Sequence, residues 1–178
     1  MVKKKIGILG GTFDPPHNGH LTISKFSINK LKLKQVIWAI TKKNPFKKKP
    51  LISLEKRILL CRKIIKRNNK IKVKSYDDIV KSSETINLIN FLKKRDKNVE
   101  YFFLMGSDNL INLHRWKKWR ELSRKCRITV FPRRGYVANS LNSKVFRSLN
   151  MDDVLFLKSK MLNISSSKIR KNYLKYKD

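Results

Sequence analysis

The apolar run Ile6-Gly7-Ile8-Leu9 leads straight into Gly10-Gly11-Thr12-Phe13-Asp14-Pro15-Pro16-His17-Asn18-Gly19-His20, and a segment of helical period follows. A run this short and this apolar reads as a strand covered on both faces. Glycines at its end predict a chain that leaves the strand sharply and presents bare N–H groups to an anion, because no Cβ blocks close approach. Pro15-Pro16 stiffens the loop. His17 and His20 are three residues apart, so a helix starting here carries both imidazoles on one face of its first turn, where the helix dipole also favours negative charge. Gly19 leaves room between them. Taken singly, these residues are a turn, a loop and a cap; together, between a strand and an amphipathic helix, they describe a phosphate site.

The rest of the chain repeats the alternation. Strands are predicted at Ile6–Leu9, Val36–Thr41, Ile71–Ser75, Val99–Met105, Ile128–Phe131 and Val154–Leu157, with helical periods between them: a helix opened by Ser53, and further helices around Glu84–Lys94, Trp116–Arg124, Asn142–Leu149 and from Ser166 onward. That pattern implies an α/β class with a mainly parallel sheet and helices on both faces, and 178 residues without a linker or repeat imply one domain over residues 1–178. The loop from Thr41 to Pro50, with two prolines and five lysines, is the segment expected to move. The formal charge is +32, but its lysines fall in every segment, so the charge names no specific nucleic-acid partner; it attracts phosphorylated ligands at low salt. Cys61 and Cys126 stand apart and read as buried, reduced thiols. With no long apolar segment, a cytoplasmic protein without a membrane partner is expected.

Near the end of the chain, Ile164-Ser165-Ser166-Ser167-Lys168-Ile169-Arg170 places hydroxyls at a helix start and a guanidinium four residues beyond Ser166, a second anion cradle. The first motif resembles the signature of the nucleotidylyltransferase superfamily, whose members share a Rossmann-like, doubly wound sheet. The second is similar to that of bacterial nicotinate-nucleotide adenylyltransferases, with Ser167 where a threonine is usual. Phe103-Leu104-Met105-Gly106-Ser107-Asp108-Asn109-Leu110, then His114-Arg115-Trp116-Lys117-Lys118-Trp119, resembles the same family's strand, turn and tryptophan pair, and Arg133 with Gly135 resembles its Arg-x-Gly.

The resemblance implies an enzyme that joins ATP to nicotinate mononucleotide and releases pyrophosphate, with Mg²⁺ carried on ATP. It assigns His17, His20 and Arg170 to catalysis, and Gly10, Gly11, Thr12, Phe13, Gly106, Asp108, Ser165 and Ser166 with them to ATP. Thr12, Lys47, Thr85, Trp116 and Arg133 fall to the nicotinate nucleotide, with Trp116 stacked on the pyridine ring. Glu84 and Leu88 stand where the family has a tyrosine and a threonine, and Asn44-Pro45-Phe46-Lys47 stands where it has Pro-Pro-His-Lys. Alternatives within the class are nicotinamide mononucleotide or phosphopantetheine as acceptor; from another class, a non-catalytic basic RNA-binding domain. Oligomeric state is open.

Overall fold

The computed structural model describes residues 3–46, 48–159 and 166–175. Six strands form one sheet in the order β3-β2-β1-β4-β5-β6, every neighbouring pair parallel: β1 Lys4–Gly11, β2 Gln35–Ile40, β3 Ile71–Lys74, β4 Val99–Gly106, β5 Arg127–Phe131 and β6 Val154–Phe156. The order reverses between β1 and β4, so this Rossmann-like sheet opens a crevice at the carboxyl ends of those two strands.

Sequence alternation sorts the core into two layers. Phe102, Leu104, Val36, Trp38 and Ile40 face α1 (Asn18–Leu31) and α2 (Leu54–Ile65). Tyr101, Phe103, Met105, Ile8 and Val130 face α4 (Thr85–Arg95) and α6 (Trp119–Lys125). Both faces are covered, as right-handed crossovers between parallel strands require. Trp38 is fully buried, and its indole N–H donates to Ser24 Oγ at 2.8 Å; that hydroxyl donates in turn to His20 O. The tryptophan is thereby satisfied inside the core and fixes the first turn of α1.

The predicted elements are present, with local differences. Gly10 and Gly11 remain in β1, in register with Ala39 and Ile40, so the chain turns two residues later than expected, at Thr12 and Phe13. The positive φ of that turn, 50°, falls on Phe13, which burial between Trp38 and His20 holds there. Gly10 is needed for another reason: an added Cβ would meet the Phe103 ring at 3.1 Å. The helix expected over Trp116–Arg124 starts only at Trp119, because Trp116 is extended and Lys118 is left-handed; a 3₁₀ turn at Leu113–Arg115 precedes it. The helix expected over Asn142–Leu149 is the shorter α8, Lys144–Ser148, opened by Ser143, which accepts from Phe146 N at 3.2 Å, and a separate short helix, α7 Val137–Leu141, precedes it. Short helices α3 (Asp77–Val80) and α5 (Ser107–Ile111) follow β3 and β4, and α9 spans Ser166–Lys175.

Candidate active site

Two cavities open over the carboxyl edge of the sheet and share Gly10, Gly11, Thr12 and Asn109 as a common floor. One, of about 400 Å³, is polar and lies toward α1, β5 and α9. The other, of about 320 Å³, is more apolar and lies toward β2, α4 and Trp116. Their meeting point is the sheet's reversal point, where residues from the two halves of the chain converge.

His17 and His20 line the polar chamber with their rings 3.8 Å apart, on one face of the first turn as the spacing predicted. His17 is the N-cap of α1, and its backbone N–H donates to His20 Nδ1 at 3.2 Å. With Nδ1 accepting, His20 presents its ring N–H at Nε2. His17 is a neutral imidazole: burial, with the nearby Arg133 charge adding to it, lowers its pKa to about 4. Its Nδ1 is buried and meets no partner among the described residues. His17 therefore acts on an anion as a hydrogen-bond group rather than as a fixed charge, beside the Nε2–H of His20.

A buried neutral histidine makes stability depend on pH. The folded-state value lies below the unfolded one of about 6.5, so between pH 6.5 and 4 the unfolded chain binds the extra proton and stability falls as pH drops. Above pH 6.5 the contribution is flat. Relative to His17→Asn, the wild-type melting temperature should decline across that window, and parallel curves for the two proteins would remove His17 as the cause.

Arg170 reaches the polar chamber from α9. Its Nη1 donates to Asp14 O and lies 3.7 Å from Asp14 Oδ2, and its Nη2 donates to Ser167 Oγ at 3.1 Å. Ser166 lines the same chamber, but its hydroxyl donates to Pro15 O at 2.8 Å; its proton docks α9 on the first motif. Ser165 and Lys47 lie outside the described residues. Asp108 pairs with Arg133 through Oδ2 at 2.5 Å, while Oδ1 is buried without a partner among the described residues. Gly106 is the N-cap of α5, and a Cβ there would sit 2.4 Å from Asp108 Oδ1, so only glycine leaves the carboxylate its place.

Arg133, expected with Trp116 at the nicotinate nucleotide, does not share a chamber with it: it lines the polar one, held by Asp108 and by its own N–H on Ser107 Oγ at 3.0 Å. The reason is topological: the loop after β5 leaves the sheet on the far side of β4 from Trp116. Trp116 and Thr85 do line the apolar chamber, Trp116 with its ring edge-on to Phe103 at 5.8 Å. Its cations are Lys43, Arg115 and Lys117, the last paired with Glu84 at 3.0 Å.

Three positioning residues went unrecognised in the sequence. Asp14 is buried and accepts from Leu51 N and Ile52 N at 3.0 and 3.1 Å, tying the far end of the Thr41–Pro50 loop to the first motif and to Arg170. Asp77 holds the near end, accepting from Thr41 Oγ1 and Lys42 N at 2.8 Å and from Ser83 Oγ at 2.7 Å. Arg57, only 2% exposed, donates to the carbonyls of Thr12, Thr41, Lys42 and Ile52. The Ser53 cap announced its helix, but nothing in the sequence marks Arg57 as the inward-facing cation on it.

A polar and an aromatic chamber meeting over one glycine floor at the reversal point of a parallel sheet are the arrangement of a nucleotide-binding α/β domain. Residues 8–172 match the cytidylyltransferase-like family. A protein of Pelagibacter ubique named "Probable nicotinate-nucleotide adenylyltransferase" is 53% identical over 169 residues, 95% of this chain and 93% of that one. One of the same name from Agrobacterium fabrum is 34% identical over 146 residues, 82% and 78% of the two chains. Among solved structures, the nicotinic acid mononucleotide adenylyltransferase of Plasmodium falciparum complexed with NaAD superposes with a TM-score of 0.75 at 21% identity, over 94% of this chain and 83% of that one. The chain belongs to the nicotinate-nucleotide adenylyltransferase family.

Proposed function

We propose that the whole chain acts as one adenylyltransferase domain that joins ATP to nicotinate mononucleotide, giving nicotinate adenine dinucleotide and pyrophosphate in NAD biosynthesis. The observation that carries this reading is the shared floor: two chambers of different chemistry abut at Gly10, Gly11 and Thr12, so two nucleotides can meet phosphate to phosphate. ATP is assigned to the polar chamber, whose histidines and Arg170 suit a triphosphate. The pyridine nucleotide is assigned to the apolar one, where Trp116 offers a flat aromatic wall.

In the reaction the acceptor's 5′-phosphate attacks the α-phosphorus of ATP in line, the new P–O bond forming as the bond to pyrophosphate breaks. A phosphate monoester, with second pKa about 6, is already largely ionised at pH 7, so no general base is required. Catalysis then rests on holding two anions together and stabilising charge on the phosphoryl oxygens and the departing pyrophosphate. His17 and His20 contribute ring hydrogen-bond groups, the Gly10 to Phe13 backbone contributes its N–H groups, and Arg170 contributes charge once phosphate oxygens displace its contacts with Asp14. Mg²⁺ is expected to arrive on the nucleotide and would neutralise phosphate charge. Asp108 Oδ1, without a partner among the described residues, lies in the polar chamber and fits such an ion directly or through water. Among the described residues no helix is long and apolar enough to cross a membrane, and the two unpaired, buried thiols suit the cytoplasmic setting proposed here.

The test is pyrophosphate release from ATP with nicotinate mononucleotide, nicotinamide mononucleotide and phosphopantetheine side by side. The nicotinate nucleotide is expected to be the best acceptor. A higher kcat/KM with phosphopantetheine overturns the assignment, and salt-sensitive RNA binding without pyrophosphate release overturns the enzymatic reading altogether.

A further inference from the structure

Arg115 closes the 3₁₀ turn one residue before Trp116, and both side chains line the apolar chamber. Its guanidinium carbon lies 4.9 Å from the centroid of the Phe46 ring, which comes from the loop after β2. A guanidinium that rests its face on a ring keeps its in-plane N–H fork available. Among the described residues that fork pairs with no carboxylate and no carbonyl. The chamber's own acids are occupied: Asp77 by Thr41, Lys42 and Ser83, and Glu84 by Lys117 and Asn87.

The chamber's other cations are less suited to read a planar anion. Lys117 is committed to Glu84, and Arg133 stands in the polar chamber with Asp108. Lys43 is a point charge on a long stem, whereas a fork matches two carboxylate oxygens at once. A carboxamide offers that fork one acceptor and sets an NH₂ donor against the second N–H, leaving donors unmatched. We propose that Arg115, seated on Phe46, reads the ring carboxylate of the acceptor and so sets the preference for the nicotinate over the nicotinamide nucleotide. The inference rests on the acceptor assignment above. It also gives a purpose to the aromatic residue that replaces the family's usual histidine in this loop: Phe46 is 42% exposed, yet serves as the platform.

The experiment measures kcat/KM with both pyridine nucleotides for wild type, Arg115→Gln, Phe46→Leu and Lys43→Gln. Arg115→Gln should lose about 10- to 100-fold with nicotinate mononucleotide and far less with the nicotinamide nucleotide, so that the preference collapses. Phe46→Leu should show the same asymmetry, smaller in size, since it leaves the fork but removes its seat. Because Arg115 is exposed, an unchanged melting temperature is expected to accompany the loss. Equal losses with both acceptors would place Arg115 on the shared phosphate and overturn the proposal. So would a preference that survives Arg115→Gln, or one that falls further in Lys43→Gln. A wild type with no preference overturns this inference and the acceptor assignment together.

Discussion

Replacement of His20 by alanine is expected to lower turnover on the order of 10²- to 10³-fold, the cost of losing one preorganised donor to a developing anion. Several neighbours fix that ring. Its Nδ1 accepts from His17 N, which leaves the ring proton on Nε2. Its faces meet Phe13 at 4.6 Å and His17 at 3.8 Å, and Phe13 stacks in turn on the buried Trp38 at 5.2 Å. Rigidity of this kind means little reorganisation when charge builds. The substitution also removes a capping acceptor from α1, worth about 1 kcal/mol, so a fall of about 3 °C in melting temperature should accompany the kinetic loss. Saturating kcat with both substrates, measured where the variant is folded, separates the two effects. His20→Asn restores an acceptor near the cap without the imidazole and should regain stability but not rate. Near-normal turnover in His20→Ala would withdraw His20 from the reaction.

The sheet was legible because its central strands, buried on both faces, are written as continuous apolar runs, while the edge strand β3 shows as the alternation Ile71-Lys72-Val73-Lys74. The polar chamber was legible too: the residues of both motifs, 150 and more positions apart, meet where Ser166 and Arg170 dock on Pro15 and Asp14. What the sequence hid has physical reasons. The positive φ fell on Phe13 and not on a glycine, because packing against Trp38 and His20 overrode the local preference. Arg133 went to the other chamber because strand order, which periodicity does not encode, decides which loops are neighbours. Asp14 and Arg57 act through backbone groups of distant segments, and a hydrogen bond to a carbonyl leaves no mark on the partner's identity. Even Asp14, in full view inside the first motif, gave no sign that its carboxylate holds the chain at Leu51 and Ile52.

Arg57→Met should cost about 3–5 kcal/mol of stability and about 10 °C in melting temperature. The guanidinium is buried with no ion pair among the described residues, and burial lowers its pKa, with the Asp14 charge partly opposing that shift. Its N–H groups instead satisfy four carbonyls: Thr12, Thr41 at 2.9 Å, Lys42 at 3.2 Å and Ile52 at 2.9 Å. Each buried carbonyl left unpaired costs about 1–3 kcal/mol, less where water can enter from the loop side. The effect extends to rate. Thr12 is floor to both chambers, and because a trans peptide sets C=O and the following N–H on opposite sides, holding Thr12 O inward turns Phe13 N–H away from Arg57. Arg57→Lys keeps the charge, but a single ammonium cannot span four carbonyls drawn from three segments. It should therefore fold with an intermediate melting temperature, yet lose at least about tenfold in kcat, by the sensitivity of bound geometry to small displacements. The same factor should appear with either pyridine nucleotide, since the floor lies beneath the phosphates and not beneath the ring. An Arg57→Lys enzyme with wild-type kcat and a lowered melting temperature would reduce Arg57 to a structural clamp, and an Arg57→Met enzyme as stable as wild type would deny it even that.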